Sequence, residues 1–115
     1  MEHIKKEEAE LYNGDGFSGM DYPTIDKDIN FAIVKINGKS PKKGYQTNTN
    51  CKELLYIMEG NGILNKKGER QKIEFEQGDV LLIDKGESYA FEGHFTAAVP
   101  RTPAWTPEQH EYIEE

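Results

Sequence analysis

Glu53-Leu54-Leu55-Tyr56-Ile57-Met58-Glu59-Gly60-Asn61-Gly62, a charged hairpin, then Gly78-Asp79-Val80-Leu81-Leu82-Ile83-Asp84-Lys85-Gly86-Glu87-Ser88-Tyr89-Ala90-Phe91-Glu92-Gly93 is the stretch whose reading decides the fold. Leu54–Met58 and Val80–Ile83 are apolar at every position, which predicts strands covered on both faces. Between them Ile73 and Phe75 alternate with Lys72, Glu74 and Glu76, the period of a half-buried strand. Each apolar run leads into a glycine-bearing turn, and nothing repeats with a helical period. Short strands joined by glycine turns predict an all-β fold, an antiparallel sandwich or a closed barrel.

Working outward, Phe31–Ile36 is rich in β-branched residues and reads as a strand ended by Asn37-Gly38. Gln46–Asn50 is a polar run directly before the central strand, as expected of side chains lining a wet cavity or its rim. Lys66-Lys67-Gly68-Glu69 makes a solvated hairpin tip. Gly93-His94 is expected to separate a strand around Tyr89–Phe91 from a last strand, Phe95–Val99. Residues 1–15 read as a flexible N-terminal segment carrying a turn at Asn13-Gly14-Asp15-Gly16, and residues 17–29 as holding a short edge strand at most. Residues 102–115 form a proline-punctuated tail that packs on the barrel, with Trp105 docked on something apolar. The whole chain, 1–115, is expected to be a single domain of about eight to ten strands. That pattern suits a jelly roll better than an immunoglobulin sandwich, which would show a Cys–Trp–Cys spacing.

With 115 residues, 14 basic and 21 acidic, the formal charge is −7. This argues against nucleic acid or an anionic membrane as partner, and no basic stripe interleaved with aromatics appears. No apolar run is long enough to span a bilayer, and the charged N-terminus lacks a signal-peptide core. The single cysteine, Cys51, excludes an intrachain disulfide and fits a cytoplasmic protein. It reads as a small residue at a strand edge rather than a nucleophile, since no histidine lies near it in sequence.

On these residues the chain resembles the cupins. A glutamate with a glycine downstream ends that family's first motif, as Glu53 and Gly60 do. Gly-Asp, an apolar strand and a glycine turn make the second, as do Gly78-Asp79, Val80–Ile83 and Asp84-Lys85-Gly86. The resemblance spans roughly residues 30 to 110 and implies a cupin-type double-stranded β-helix, a jelly-roll barrel. The departures concern metal. Where metal-dependent cupins carry a His-x-His pair, this chain has Thr47 and Thr49, or Gln46 and Asn48. Tyr89 stands at the second-motif histidine, and Asp84 at the turn proline. Of the four usual ligands Glu53 alone remains, so no metal and no cofactor is expected. A site rebuilt from Glu53, His94 and His110 is the alternative, although His94, five residues from Tyr89, would face the other side of an unbroken strand.

If Glu53 faces inward it shares its side with Leu55 and Ile57, and a buried carboxylate must be hydrogen-bonded or protonated. Thr47, Thr49 and Tyr89 are the expected hydroxyl donors. Glu53 and Tyr89 are the catalytic candidates; Thr47, Thr49, Glu53, Tyr89, Phe91 and His110 form the expected ligand-binding set. The plainer reading is that Glu53 only satisfies a structural polar network and that Tyr89 and Phe91 are ordinary core. Leu54, Tyr56 and Met58 lie on the opposite, outward face, which predicts cover by the N-terminal segment or by a second subunit, preferably in a homodimer. The leading expectation is therefore a barrel that binds a small molecule, with sugars or sugar phosphates suggested by family analogy. The alternatives are an isomerase or epimerase using Glu53 with Tyr89, a metal enzyme with the rebuilt histidine site, and an assembly partner with a vestigial cavity.

Overall fold

A computed structural model describes residues 1–114. It contains nine strands, all antiparallel: β1 (Glu10–Gly14), β2 (Phe17–Tyr22), β3 (Asn30–Ser40), β4 (Tyr45–Asn48), β5 (Lys52–Lys66), β6 (Ile73–Glu76), β7 (Val80–Ile83), β8 (Tyr89–Thr102) and β9 (His110–Ile113). Two short 3-10 turns, Lys6–Glu8 and Pro107–Gln109, are the only helical segments among the described residues. β8 is the hub. One edge pairs with β3 from Arg101 to Phe91, and the other pairs with β5 from Thr102 to Tyr89. β1 and β2 extend the sheet beyond β3, β6 and β7 pair with β5, and β4 joins β8 to β9. The curled sheet closes around one core, a jelly-roll barrel.

Alternation along β8 explains what the barrel encloses. Its odd positions Tyr89, Phe91, Phe95, Ala97, Val99 and Arg101 are all buried, so one face of one strand supplies much of the interior. In β5 the inward set is Leu55 and Ile57 before Met58, then Leu64 after it. The parity flips because Ile57 pairs with Ala97 but Glu59 with Thr96, so a β-bulge inserts one extra residue. Phe75 packs edge-on against Phe95, with centroids 4.8 Å apart, and Phe91 lies 5.4 Å from Phe95. These contacts fill the closed end of the barrel with aromatic carbon.

Several expectations change here, for one reason. Asn37-Gly38, Asn61-Gly62 and Gly93-His94 were each expected to interrupt a strand, yet β3, β5 and β8 run straight through them. Gly38 pairs with Gly93, and Gly93 pairs with Gly62, so the three glycines form one row across three strands. The row is a crease where the sheet bends and the backbones approach closely. Nor are residues 1–15 a loose segment, because Glu10–Gly14 hydrogen-bonds as β1 to β2. The tail is not simply extended either, since its end forms β9 against β4.

The outward faces of β5 and β7 are also not covered. Leu54, Tyr56, Met58, Val80 and Leu82 are between 40% and 64% exposed, because the N-terminal hairpin docks on β3 instead. Two-sided burial therefore fails for both apolar runs within one chain.

Gly93 offers a direct test of the crease. Its φ is +136°, and an added Cβ would lie 2.5 Å from the Asn61 carbonyl oxygen and 2.6 Å from Gly62 Cα. Strain at such a dihedral alone costs about 1–3 kcal/mol. Gly93→Ala is expected to lower the urea midpoint well beyond Gly86→Ala, where φ is +79° but no atom lies within 4 Å of the new Cβ. Equal losses at the two positions would mean that the crease carries no steric constraint.

Candidate ligand-binding site

A cavity of about 400 Å³ opens at one end of the barrel. Its size lies within the range of small-molecule sites, roughly 300–1,000 Å³. Leu55, Phe91, Val34 and Ile36 supply apolar walls, and polar groups come from five strands: Asp21, Asn48, Glu53, Tyr89, Arg101 and His110.

Glu53 reaches the cavity because it opens β5 on the inward parity shared by Leu55 and Ile57. It stands directly across from Arg101 in the β5–β8 register. Its Oε1 accepts two hydrogen bonds, from Asn48 Nδ2 at 2.8 Å and from the Tyr89 hydroxyl at 2.9 Å. Oε2 has no partner among the described residues and is not sealed from solvent. One oxygen is thus clamped while the other has no protein partner among the described residues, on a residue that lines the cavity. Burial raises the carboxyl pKa above its ordinary value, opposed by the Tyr89 hydrogen bond, the Arg101 charge and the Asn48 bond. Burial, then the Glu53 charge, holds the Tyr89 phenol well above its usual range. Tyr89 is therefore a permanent O–H donor at neutral pH.

Asn48 ends β4 and joins the other groups. Its Oδ1 accepts from Trp105 Nε1 at 2.9 Å and is also 2.9 Å from His110 Nδ1. Trp105 and Tyr112 flank the His110 ring edge-on, with centroids 6.0 and 5.1 Å away. Burial lowers the His110 pKa, which favours a neutral imidazole.

Arg101 is 4% exposed and closes the other side. Nη2 meets Asp21 Oδ1 at 3.2 Å, Nε donates to Asn30 Oδ1 at 3.0 Å, and the guanidinium lies 5.1 Å from the Trp105 ring centroid. Trp105 is thus docked on a cation and an amide rather than on apolar surface.

Of the expected binding set, Glu53, Tyr89, Phe91 and His110 line the cavity. Thr47 and Thr49 do not. Thr47 is buried on the other face of β4 with its hydroxyl unpartnered, and the Thr49 hydroxyl donates to the Gln109 carbonyl at 3.2 Å. In their place Asn48, whose amide lies on the parity between them, donates to Glu53 together with the expected Tyr89. His94 points outward to Asn37 Oδ1, 2.5 Å away, so Glu53, His94 and His110 do not converge. No cluster of three His, Cys, Asp or Glu with metal-binding geometry occurs among the described residues. Cys51 is buried, its N–H bonded to Gln109 Oε1, and burial pushes its thiol up to about 11. Sequence reading missed Arg101, although the odd-position run from Tyr89 through Val99 ends on it.

No family model matches the sequence, and no curated protein does either. Solved structures match closely in shape. A Streptomyces PAC13 variant with uridine is 16% identical, with a TM-score of 0.86 over 99% of this chain and 91% of that one. Another Pac13 structure, described as that of a unique nucleoside dehydratase, is 15% identical with a TM-score of 0.86 over 99% and 92%. KdgF from Halomonas sp. is 13% identical with a TM-score of 0.70, covering 94% of this chain and 97% of its own. The fold is a cupin-type barrel. At these identities the likeness establishes the architecture alone.

The Glu53 environment predicts a pH effect on stability. With its pKa higher in the folded state, the protonated form favours folding; this contribution is complete below the unfolded value and is lost as pH rises through the folded one. Glu53→Gln keeps an acceptor for Asn48 and Tyr89 but cannot ionise. Across melting temperatures from about pH 4 to pH 8, spanning the carboxylate range and above, the wild type should lose stability relative to E53Q as pH rises. Parallel curves would place the carboxyl in a water-like environment.

Proposed function

We propose that this protein binds a small, polar, polyhydroxylated molecule of nucleoside or sugar size and carries out acid–base chemistry on it with Glu53. One observation supports this reading above the others. A part-buried carboxyl that lines the cavity is pinned through Oε1 by two donors while Oε2 has no partner among the described residues, the arrangement required of a group that exchanges a proton with a ligand. A carboxyl retained only for structure would have both oxygens satisfied by the protein. The raised pKa brings it nearer to the pH at which general acids and bases work best. Similarity of fold to a nucleoside dehydratase suggests a nucleoside-like ligand, by analogy of architecture. Tyr89 and Asn48 hold the carboxyl in place, and Arg101 is available to polarise a ligand oxygen. Metal-dependent chemistry through His94 has no geometric support, because that ring lies on the outer face.

Uridine and related nucleosides or sugars are suitable ligands for a first screen by calorimetry. For a ligand that is turned over, E53Q is expected to reduce kcat by about 10²-fold or more, the range of general acid–base catalysis, with Kd changed only slightly. Unchanged turnover in E53Q would remove the catalytic reading and leave a binding protein.

We also propose that a second copy of the chain covers the outer face of β5 and β7. Five large apolar side chains exposed together on one sheet surface support this reading. Sedimentation is expected to give a dimer for the wild type and a monomer for Leu82→Lys. A monomeric wild type at micromolar concentration would remove the homodimer.

A further inference from the structure

Orientation of one amide determines which atom of His110 is available in the cavity. Trp105 Nε1 is a donor only, so the Asn48 atom that it contacts must be the carbonyl oxygen. This places the Asn48 NH₂ toward Glu53, where it meets a carboxylate acceptor at 2.8 Å. Both ends of the amide thus agree on one orientation. Oδ1 is then an acceptor for its second neighbour as well, so His110 Nδ1 must carry the proton and donate. A neutral imidazole has one N–H, and with that proton on Nδ1 the ring exposes a bare lone pair at Nε2. Among the described residues nothing is bonded to Nε2, and His110 lines the cavity.

We propose that His110 is the second acid–base group of the cavity, and that Asn48, locked by Trp105, is the positioning residue that presents its bare Nε2 to a ligand. This rests on the reading of Glu53 above and deepens it. Glu53 and His110 hang from opposite ends of the same amide and are not bonded to each other, so a ligand in the cavity can meet both. The proton accounting closes. Nε2 accepts a proton from the substrate as Glu53 Oε2 gives one up, leaving an imidazolium and a carboxylate, and proton exchange through solvent restores the starting pair. Reactions of this type remove a proton at one substrate atom and deliver one at another, as isomerisations and eliminations of hydroxylated carbonyl compounds do. Lowering of the His110 pKa by burial accords with a neutral ring.

The test needs no ligand. In the ¹⁵N-labelled 115-residue chain, with the resonances assigned by their loss in His110→Gln, long-range ¹H–¹⁵N spectra at neutral pH should show His110 Nδ1 as pyrrole-like and Nε2 as pyridine-like. Trp105→Phe removes the donor that orients Asn48, so a mixture of tautomers is expected while Asn48→Asp, which offers only acceptors, keeps Nδ1 protonated. Diethyl pyrocarbonate, which acylates unprotonated accessible imidazoles, should modify His110 in the wild type by mass spectrometry. A pyridine-like Nδ1 in the wild type would overturn the proposal, as would a His110 left unmodified while exposed His94 reacts. Both readouts follow the imidazole alone, so either can fail while the Glu53 reading, tested by E53Q turnover, stands.

Discussion

A single strand that pairs along its whole length on both edges constrains everything else in this barrel. β8 shares one register with β3 and another with β5, so its inward residues line the interior, and its two terminal ones, Tyr89 and Arg101, both come to the cavity beside Glu53. Between these two along the strand lie Phe91, Phe95, Ala97 and Val99, all buried. An interior apolar in the middle and polar at an open end is a pocket by construction. Gly38, Gly93 and Gly62 align across the three strands, and at Gly62 and Gly93 a side chain would collide with neighbouring backbone.

Around Glu53 the polar end is held by hydrogen bonds from neutral donors. An ionised carboxylate taken out of water costs several kcal/mol, a hydrogen bond to a charged group returns about 1.5–3 kcal/mol net, and at Glu53 burial outweighs the bonds. Two donors on Glu53 Oε1 therefore do not cancel the burial of a charge, and the pKa rises instead. Arg101 is treated differently. Its guanidinium is paired with Asp21, bonded to Asn30 and laid over the Trp105 ring, so that a permanent cation is kept buried by three partners. The cavity thus holds a fixed charge beside groups that can exchange protons.

Asn48 links the tail to this chemistry. Residues Trp105 and His110 are reached through Thr102 and Pro103 at the end of β8, and both attach to the same amide oxygen. Asn30 reinforces the arrangement by accepting from Trp105 N–H at 3.0 Å and donating to its carbonyl at 2.9 Å. The C-terminal residues are a wall of the site, and the side chains that face a ligand come from both ends of the sequence.

Local pattern was enough for much of this. The apolar runs, the two-residue period at Ile73–Phe75 and the glycine turns specify an all-β fold, since hydrophobic periodicity reports the local backbone directly, and the cupin-like motifs point to the barrel. The inward direction of Glu53 and the outward direction of His94 follow from strand parity, which depends only on counting along an unbroken strand. Parity fails where its premise does. Glycines read as turns proved to be an aligned crease, and Arg101 stayed hidden behind the apparent break at Gly93-His94. Which donor satisfies Glu53, and what surrounds Trp105, depend on residues separated by five to 75 positions. Hydrogen-bond partners at such distances are set by how strands meet around the barrel, and no periodicity within a strand encodes that meeting. The sequence by itself determined the kind of sheet and the faces of its strands; closure of that sheet alone decided that Asn48, Glu53, Tyr89 and His110 share one cavity.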